Sequence, residues 1–205
     1  MPASLAVDLC QSFLRIPSPS GGEGALGREV TQRMAALGFQ VEVDRFGTVL
    51  GRKTGSQAGP TLLLDGHMDT VPITNPEAWS VDPFGGTVRQ DRLWGRGAAD
   101  TKGSLAAMIA AGAEAADFAG TLLVAASVCE ENLTGAAVGD LLDRHPVDLA
   151  IMGEPTSLQL GVAQKGRAGV VLEAQGRSAH TSRPELGDNA VTKMMEALAR
   201  VRALP

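Results

Sequence analysis

Tyrosine is absent from the 205 residues, and aromatics of any kind make up 3%. A core built here has to come from Ala, Leu, Val and Gly rather than from large rings. Cysteine is nearly absent too. Cys10 and Cys129 are too few for a disulfide framework and do not stand in a metal-like spacing. Both read as small buried hydrophobes in a reducing compartment, so a cytoplasmic setting is the expectation. No apolar run reaches the roughly 18–20 residues needed to cross a bilayer. Residues 1–16 mix Asp8, Gln11 and Arg15 into their apolar pattern, as an amphipathic helix does and a signal peptide does not. Positive charge is also short: 18 Lys and Arg against 23 Asp and Glu leave a net charge of −5. That balance argues against nucleic acid as a partner, since such binding needs a basic face.

What is present suffices for a globular fold, with 44% hydrophobic and 20% charged residues. Leu5, Leu9 and Phe13, then Leu26, Val30, Met34 and Leu37, recur at helical spacing. They predict helices over 3–15 and 22–37, with Gly38 as the stop of the second. Residues 39–43 alternate as a strand, 48–51 form a short strand, and 84–94 read as a hairpin. Leu62-Leu63-Leu64, Leu122 to Val128, and Leu149 to Met152 are continuous apolar runs suited to strands buried on both faces. Helical stretches at 101–117 and 134–144 fall between them. This alternation predicts an α/β fold, with a mainly parallel sheet flanked by helices.

The character changes after Gln164. A half-exposed strand is expected within 167–176, then a loop with Ser178, His180, Ser182 and Pro184, then an amphipathic helix over 189–201. One strand and one helix cannot close a core. Residues 1–164 therefore read as one domain, and 165–205 as the start of a second, α+β domain that this chain does not complete.

The chemistry lies in how the strands end. Leu64 runs into Asp65-Gly66-His67-Met68-Asp69, Val128 into Cys129-Glu130-Glu131, and Met152 into Gly153-Glu154-Pro155, while Asp100 precedes a long helix. In an open α/β sheet the carboxyl ends of the strands line the ligand crevice. His67, Asp69, Asp100, Glu130, Glu131 and Glu154 should thus share one edge. Two carboxylates about 4 Å apart repel by roughly 4 kcal/mol at an effective dielectric of 20, and Arg96 and Lys102 are too few to neutralise five. Either several acids are protonated or divalent cations sit among them. One His with several carboxylates suits Zn²⁺, Co²⁺ or Mn²⁺. Taken singly, each acid reads as a solvated loop residue, and Glu130-Glu131 as an acidic helix start. The case rests on four clusters meeting at one edge.

Gly66-His67-Met68-Asp69-Thr70-Val71-Pro72, Gly95 to Gly103, Glu130-Glu131 and Gly153-Glu154-Pro155-Thr156 resemble the dinuclear zinc deacylases and exopeptidases. That family includes acetylornithine deacetylase, succinyl-diaminopimelate desuccinylase, aminoacylase and glutamate carboxypeptidase. Gly176 to Ser182, with Pro184, Gly187 and Asn189, resembles the start of that family's lid or dimerisation domain. The resemblance implies hydrolysis of an amide bond in N-acyl amino acids or short peptides, two Zn²⁺ per complete site (with Co²⁺ or Mn²⁺ as substitutes), and a homodimer. It implies that His67 and Glu154 bind one metal, that Asp100 bridges both, and that Glu131 binds the second. Glu130 would be the general base acting on water, Asp69 would orient the His67 ring, and His180 would stabilise the oxyanion from the lid.

Family members run to nearly twice this length, and the second metal's His ligand is expected beyond residue 205. His145, in Asp143-Arg144-His145-Pro146, reads as a surface residue of a helix-to-strand connection. The stretch from Trp79 to Gly103, with Lys165-Gly166-Arg167, is most similar to the deacetylase and desuccinylase branch. The competing expectation is a catalytically inactive metal-binding or dimerisation fragment of such an enzyme.

Overall fold

The computed structural model describes residues 4–133, 135–166 and 169–204, which divide into two compact units at 159/160. In the first unit the chain begins with α1 (Leu5–Leu14), whose start is capped by the Ser4 hydroxyl accepting from the Val7 N–H. Leu9, Cys10, Phe13 and Leu14 form its buried stripe. Helix α2 (Gly24–Ala36) buries Leu26, Val30 and Met34. It ends where Gly38, at φ 82°, turns left-handed, so that the Gly38 and Phe39 N–H groups return to the Ala35 and Met34 carbonyls. Glycine is favoured there because a Cβ would be strained.

Five strands follow: β1 (Gln40–Val43), β2 (Val49–Thr54), β3 (Gln57–His67), β6 (Ala119–Ser127) and β7 (Leu149–Met152). Between β3 and β6 come the hairpin strands β4 (Thr87–Arg89) and β5 (Arg92–Trp94), then α3 (Lys102–Glu114). Gln90 and Asp91, both at positive φ, make the hairpin's two-residue turn. The five-stranded sheet has the order β1-β2-β6-β3-β7. Strand β3 pairs in parallel with β6 and β7, while β2 is antiparallel to β1 and β6. Four strands thus run in one direction and β2 opposes them.

Burial on β6 follows the two-residue period. Leu122, Val124 and Ala126 enter the core shared with α1, α2 and α3, while Leu123 and Ala125 face the smaller core that Leu50, Leu63 and Leu141 complete. Leu141 belongs to α5 (Ala136–Arg144), which follows the single turn α4 (Glu130–Leu133). His145 is not the plain surface residue expected from its connecting segment. Its Nε2 lies 2.7 Å from Glu42 and its Nδ1 3.3 Å from Arg52, because the end of α5 returns over β1 and β2.

In the second unit, α6 (Ala190–Arg202) is capped by Asn189, whose Oδ1 accepts from the Val191 and Thr192 N–H groups. The strand expected within 167–176 does not form over residues 169–176; an isolated bridge joins Arg177 to Asp188 instead. The alternation of apolar residues is there, but no described segment pairs with it, and a strand has no backbone hydrogen bonds of its own to stand on. Arg167 lies outside the described residues. Among the described residues no helix is long and apolar enough to cross a membrane.

Candidate metal centre

Three neighbouring parallel strands, β6, β3 and β7, end side by side. His67 is level with Ser127, and Asp65 with both Ala125 and Met152. Glu154, two residues beyond Met152, therefore comes level with His67, and Glu130 follows β6 after two residues. The chain passes from β3 to β6 on one side and then to β7 on the other, the crossover geometry at which α/β sheets bind ligands. Asp100 reaches the same edge from the turn before α3. That helix packs close, since a Cβ on Gly66 would stand 3.2 Å from the Leu105 Cβ. Two neighbours fix the turn. The Thr101 hydroxyl donates to the His67 carbonyl at 3.0 Å, and the Lys102 ammonium donates to the carbonyls of Phe13 and Ile16 at the end of α1. Burial lowers the Lys102 pKa to about 8.

One donor atom from each of His67, Asp100 and Glu154 lies within 4.8 Å of the other two. The His67 Nδ1 faces the Asp69 carbonyl at 2.9 Å and the Asp69 carboxylate at 3.4 Å, while Nε2 faces Asp100 Oδ1 at 3.0 Å. Burial alone would lower the His67 pKa, but Asp69 and Asp100 on either side outweigh it and raise it to about 9. Asp69 is itself buried, which opposes ionisation. Bonds from His67, Ser20 and the N–H groups of Glu130 and Glu131 overcome this and hold it at about 2. Glu131 and Glu154 are both raised, first by burial and then by neighbouring acids, Asp100 among them. Carboxylates whose charge is disfavoured by desolvation and by neighbouring acids are the group a divalent cation relieves. The donor set, one imidazole nitrogen and two carboxylates, fits such an ion. Glu131 stands across a cavity of about 180 Å³ that Asp100 also lines. His180 belongs to the second unit, where its Nδ1 accepts from the Ser182 N–H at 3.2 Å and lies 2.9 Å from the Ser182 hydroxyl.

Residues 63–203 match peptidase family M20/M25/M40. The chain belongs to this family. Among its curated relatives, the uncharacterised protein YgeY of Escherichia coli (strain K12) is 34% identical over 202 residues, covering 95% of this chain and 49% of that protein. The succinyl-diaminopimelate desuccinylase of Parvibaculum lavamentivorans is 33% identical over 216 residues, covering 96% of this chain and 54% of that enzyme. The chain thus spans about half the length of the curated relatives it matches. A solved M20 metallo-carboxypeptidase, Sso-CP2 of Sulfolobus solfataricus, shares the fold with a TM-score of 0.69 at 23% identity, over 90% of this chain and 46% of that one.

Two further groups of this M20/M25/M40 chain join the site: Ser20, which lies in none of the motifs, and Asp65, which stands in the same strand-end run as His67. The Ser20 hydroxyl donates to Asp69 Oδ2 at 2.7 Å from a loop 49 residues earlier. Asp65 is buried, with Oδ2 on the Ser127 hydroxyl and Oδ1 without a partner among the described residues. Burial raises its pKa to about 7. Its place two residues before His67 on β3, hence on the same face, was the available clue.

Proposed function

We propose that the chain supplies the metal-binding half-site of an amide hydrolase acting on N-acyl amino acids or short peptides. The observation that carries this reading is the meeting of His67, Asp100 and Glu154 donor atoms within 4.8 Å at the ends of adjacent strands. These three would hold one ion. Asp100 and Glu131 would hold a second, for which their shared cavity gives room. Zn²⁺ suits the nitrogen and oxygen donors, with Co²⁺ or Mn²⁺ as substitutes. A divalent ion bound there supplies Lewis acidity, polarising the scissile carbonyl and lowering the pKa of water.

The remaining work belongs to side chains of the chain. Asp69, through its carbonyl and its carboxylate, accepts a hydrogen bond from the His67 Nδ1–H and thereby turns Nε2 toward the edge, fixing ring and tautomer together. Glu130 takes the proton of the attacking water and passes it to the leaving amine, a role in which a positioned base is worth about 10²–10⁴-fold. His180, whose Nδ1 accepts from Ser182, carries the proton of its neutral ring on Nε2. From there it would donate to the developing oxyanion in a homodimer of the whole protein. The desuccinylase relative favours an acyl-amino-acid substrate. The free thiols Cys10 and Cys129 support a reducing, cytoplasmic setting.

The competing reading is an inactive metal-binding or dimerisation fragment of such an enzyme, for which the described lining of the cavity that would take a second ion offers two carboxylates, Asp100 and Glu131. The deciding measurement is hydrolysis of N-succinyl and N-acetyl amino acids by the purified chain, with Zn²⁺ and after chelation. Zn²⁺-dependent turnover that Glu130→Gln removes while the ion stays bound supports the hydrolase. Ion binding with no turnover supports the fragment, and no ion binding overturns both.

A further inference from the structure

Glu23 stands immediately before α2, the position from which a short polar side chain commonly accepts from the helix's first N–H groups. It makes no such bond. The side chain is 7% exposed, and its Oε1 accepts from the Gly21 N–H at 3.0 Å, the Cys129 N–H at 3.1 Å and the Cys129 thiol at 3.5 Å. Cys129 follows 106 residues later. Its φ is 56°, a left-handed conformation that a residue with a Cβ keeps only where its surroundings over-determine it. The next two N–H groups, of Glu130 and Glu131, donate to Asp69 Oδ1 and Oδ2 at 3.0 and 3.2 Å. Three consecutive N–H groups past the end of β6 are therefore captured by two buried carboxylates, one from the start of α2 and one from the end of β3.

We propose that Glu23 is a positioning residue for the Glu130-Glu131 pair. By holding the left-handed Cys129 turn, it sets where those two carboxylates stand relative to Asp69 and His67. The division of labour follows from the bonds. Asp69 ties the acid pair to His67, and Glu23 fixes the bend from which the pair springs. An acceptor is what the place requires, since the Gly21 N–H and both Cys129 groups donate to Glu23. Glutamine keeps a carbonyl acceptor and alanine does not. The inference rests on the reading of Glu130 as base and Glu131 as metal ligand, and its test separates the two ideas.

The test uses the full chain with Glu23→Ala and Glu23→Gln, well below the melting temperature of each. Backbone hydrogen exchange is followed at residues 129–131 and within β6, and Co²⁺ is titrated with its visible absorption recorded. Glu23→Ala should speed exchange at 129–131 by about tenfold or more, the loss expected for one well-made bond to a charged acceptor. Exchange within β6 should hold, the Co²⁺ spectrum should change, and Glu23→Gln should bring both readouts back toward wild type. A purely structural role would lower the melting temperature without altering the spectrum. Exchange at 129–131 that stays within about twofold of wild type, or that rises equally throughout β6, overturns the proposal. So does a faster turn with an unaltered spectrum. A wild-type chain that gives no Co²⁺ bands sinks the metal reading instead, and the exchange comparison then decides by itself for or against Glu23.

Discussion

In the first unit Phe13, Leu63 and Leu105 are wholly buried, whereas in the second Val171 is 92% and Leu160 90% exposed, although both stretches of sequence are comparably apolar. The two units separate what a chain can do locally from what needs a partner surface. Helix α6 forms because its hydrogen bonds lie within the segment and Asn189 caps them. Its apolar positions Val191, Met195 and Leu198 remain exposed all the same. The strand expected over 169–174 does not form at all, since each of its bonds would need another strand. The edge strand β7 sits between these cases: its apolar run predicts burial on both faces, but it pairs with β3 on one side only and exposes all four of its residues. Amphipathic pattern thus reports a capacity for burial, and burial itself waits on a second surface.

The contrast should be largest in stability. Phe13→Ala removes a wholly buried ring from the first core and should destabilise it by about 3–5 kcal/mol. Met195→Ala, on an exposed face of α6, should change stability by no more than about 0.5 kcal/mol. Denaturant melts followed by the fluorescence of Trp79 and Trp94, both in the first unit, and by circular dichroism would check this. Equal losses from the two substitutions would mean that α6 has a covered face in solution.

Ion binding should divide the units next. His67→Ala removes a candidate ligand, so its effect should exceed the roughly 10–100-fold that loss of an outer partner brings. His180→Ala should leave the affinity within about twofold, since metal affinity resides in the ligands and the groups that hold them. Competition with a chromophoric chelator measures both. An equal loss from the two variants would place His180 among the ligands.

Much of this architecture was open to sequence reading, and the reason lies in periodicity. Leu62-Leu63-Leu64 and Leu122 to Val128 had to be strands buried on both faces. Buried parallel strands present their carboxyl ends together, and the donor atoms of His67, Asp100 and Glu154 do meet at one edge. Contacts made by side chains on distant backbone carried no such signal. Nothing in Ser20 or Glu23 announces bonds to Asp69 and Cys129, 49 and 106 residues away. His145 looked like a connector because its partners, Glu42 and Arg52, lie on strands that only the fold brings beside α5.

The pH dependence of ion binding sharpens the same comparison. In the metal-free chain His67 is raised to about 9 by Asp69 and Asp100. A pKa raised on folding stabilises the fold fully below the unfolded value near 6.5 and ceases to do so as pH rises through 9. An ion needs the neutral Nε2, so binding below pH 9 displaces a proton. Affinity should therefore rise about tenfold per pH unit from 7 to 9, or about 1.4 kcal/mol per unit, and then level off. His180→Ala should leave that slope unchanged. An affinity independent of pH between 7 and 9 would show that His67 does not exchange a proton for the ion.

The smallest effect belongs to the cap of α6. Asn189 accepts from the Val191 and Thr192 N–H groups at 2.9 and 3.3 Å, and Asn→Ala at such a position costs about 1 kcal/mol. A helix of 13 residues is marginal in water when nothing packs against it. That cost should therefore appear as fraying of α6 itself rather than as a change in the first unit. Asn189→Ala should speed amide exchange across residues 190–194 by about fivefold, the factor that 1 kcal/mol commands, and leave exchange in β6 and α3 as in wild type. If α6 instead exchanges at the slow rate of β6 in both proteins, its apolar face is covered in solution. The difference between the two units would then be one of partner and not of chain.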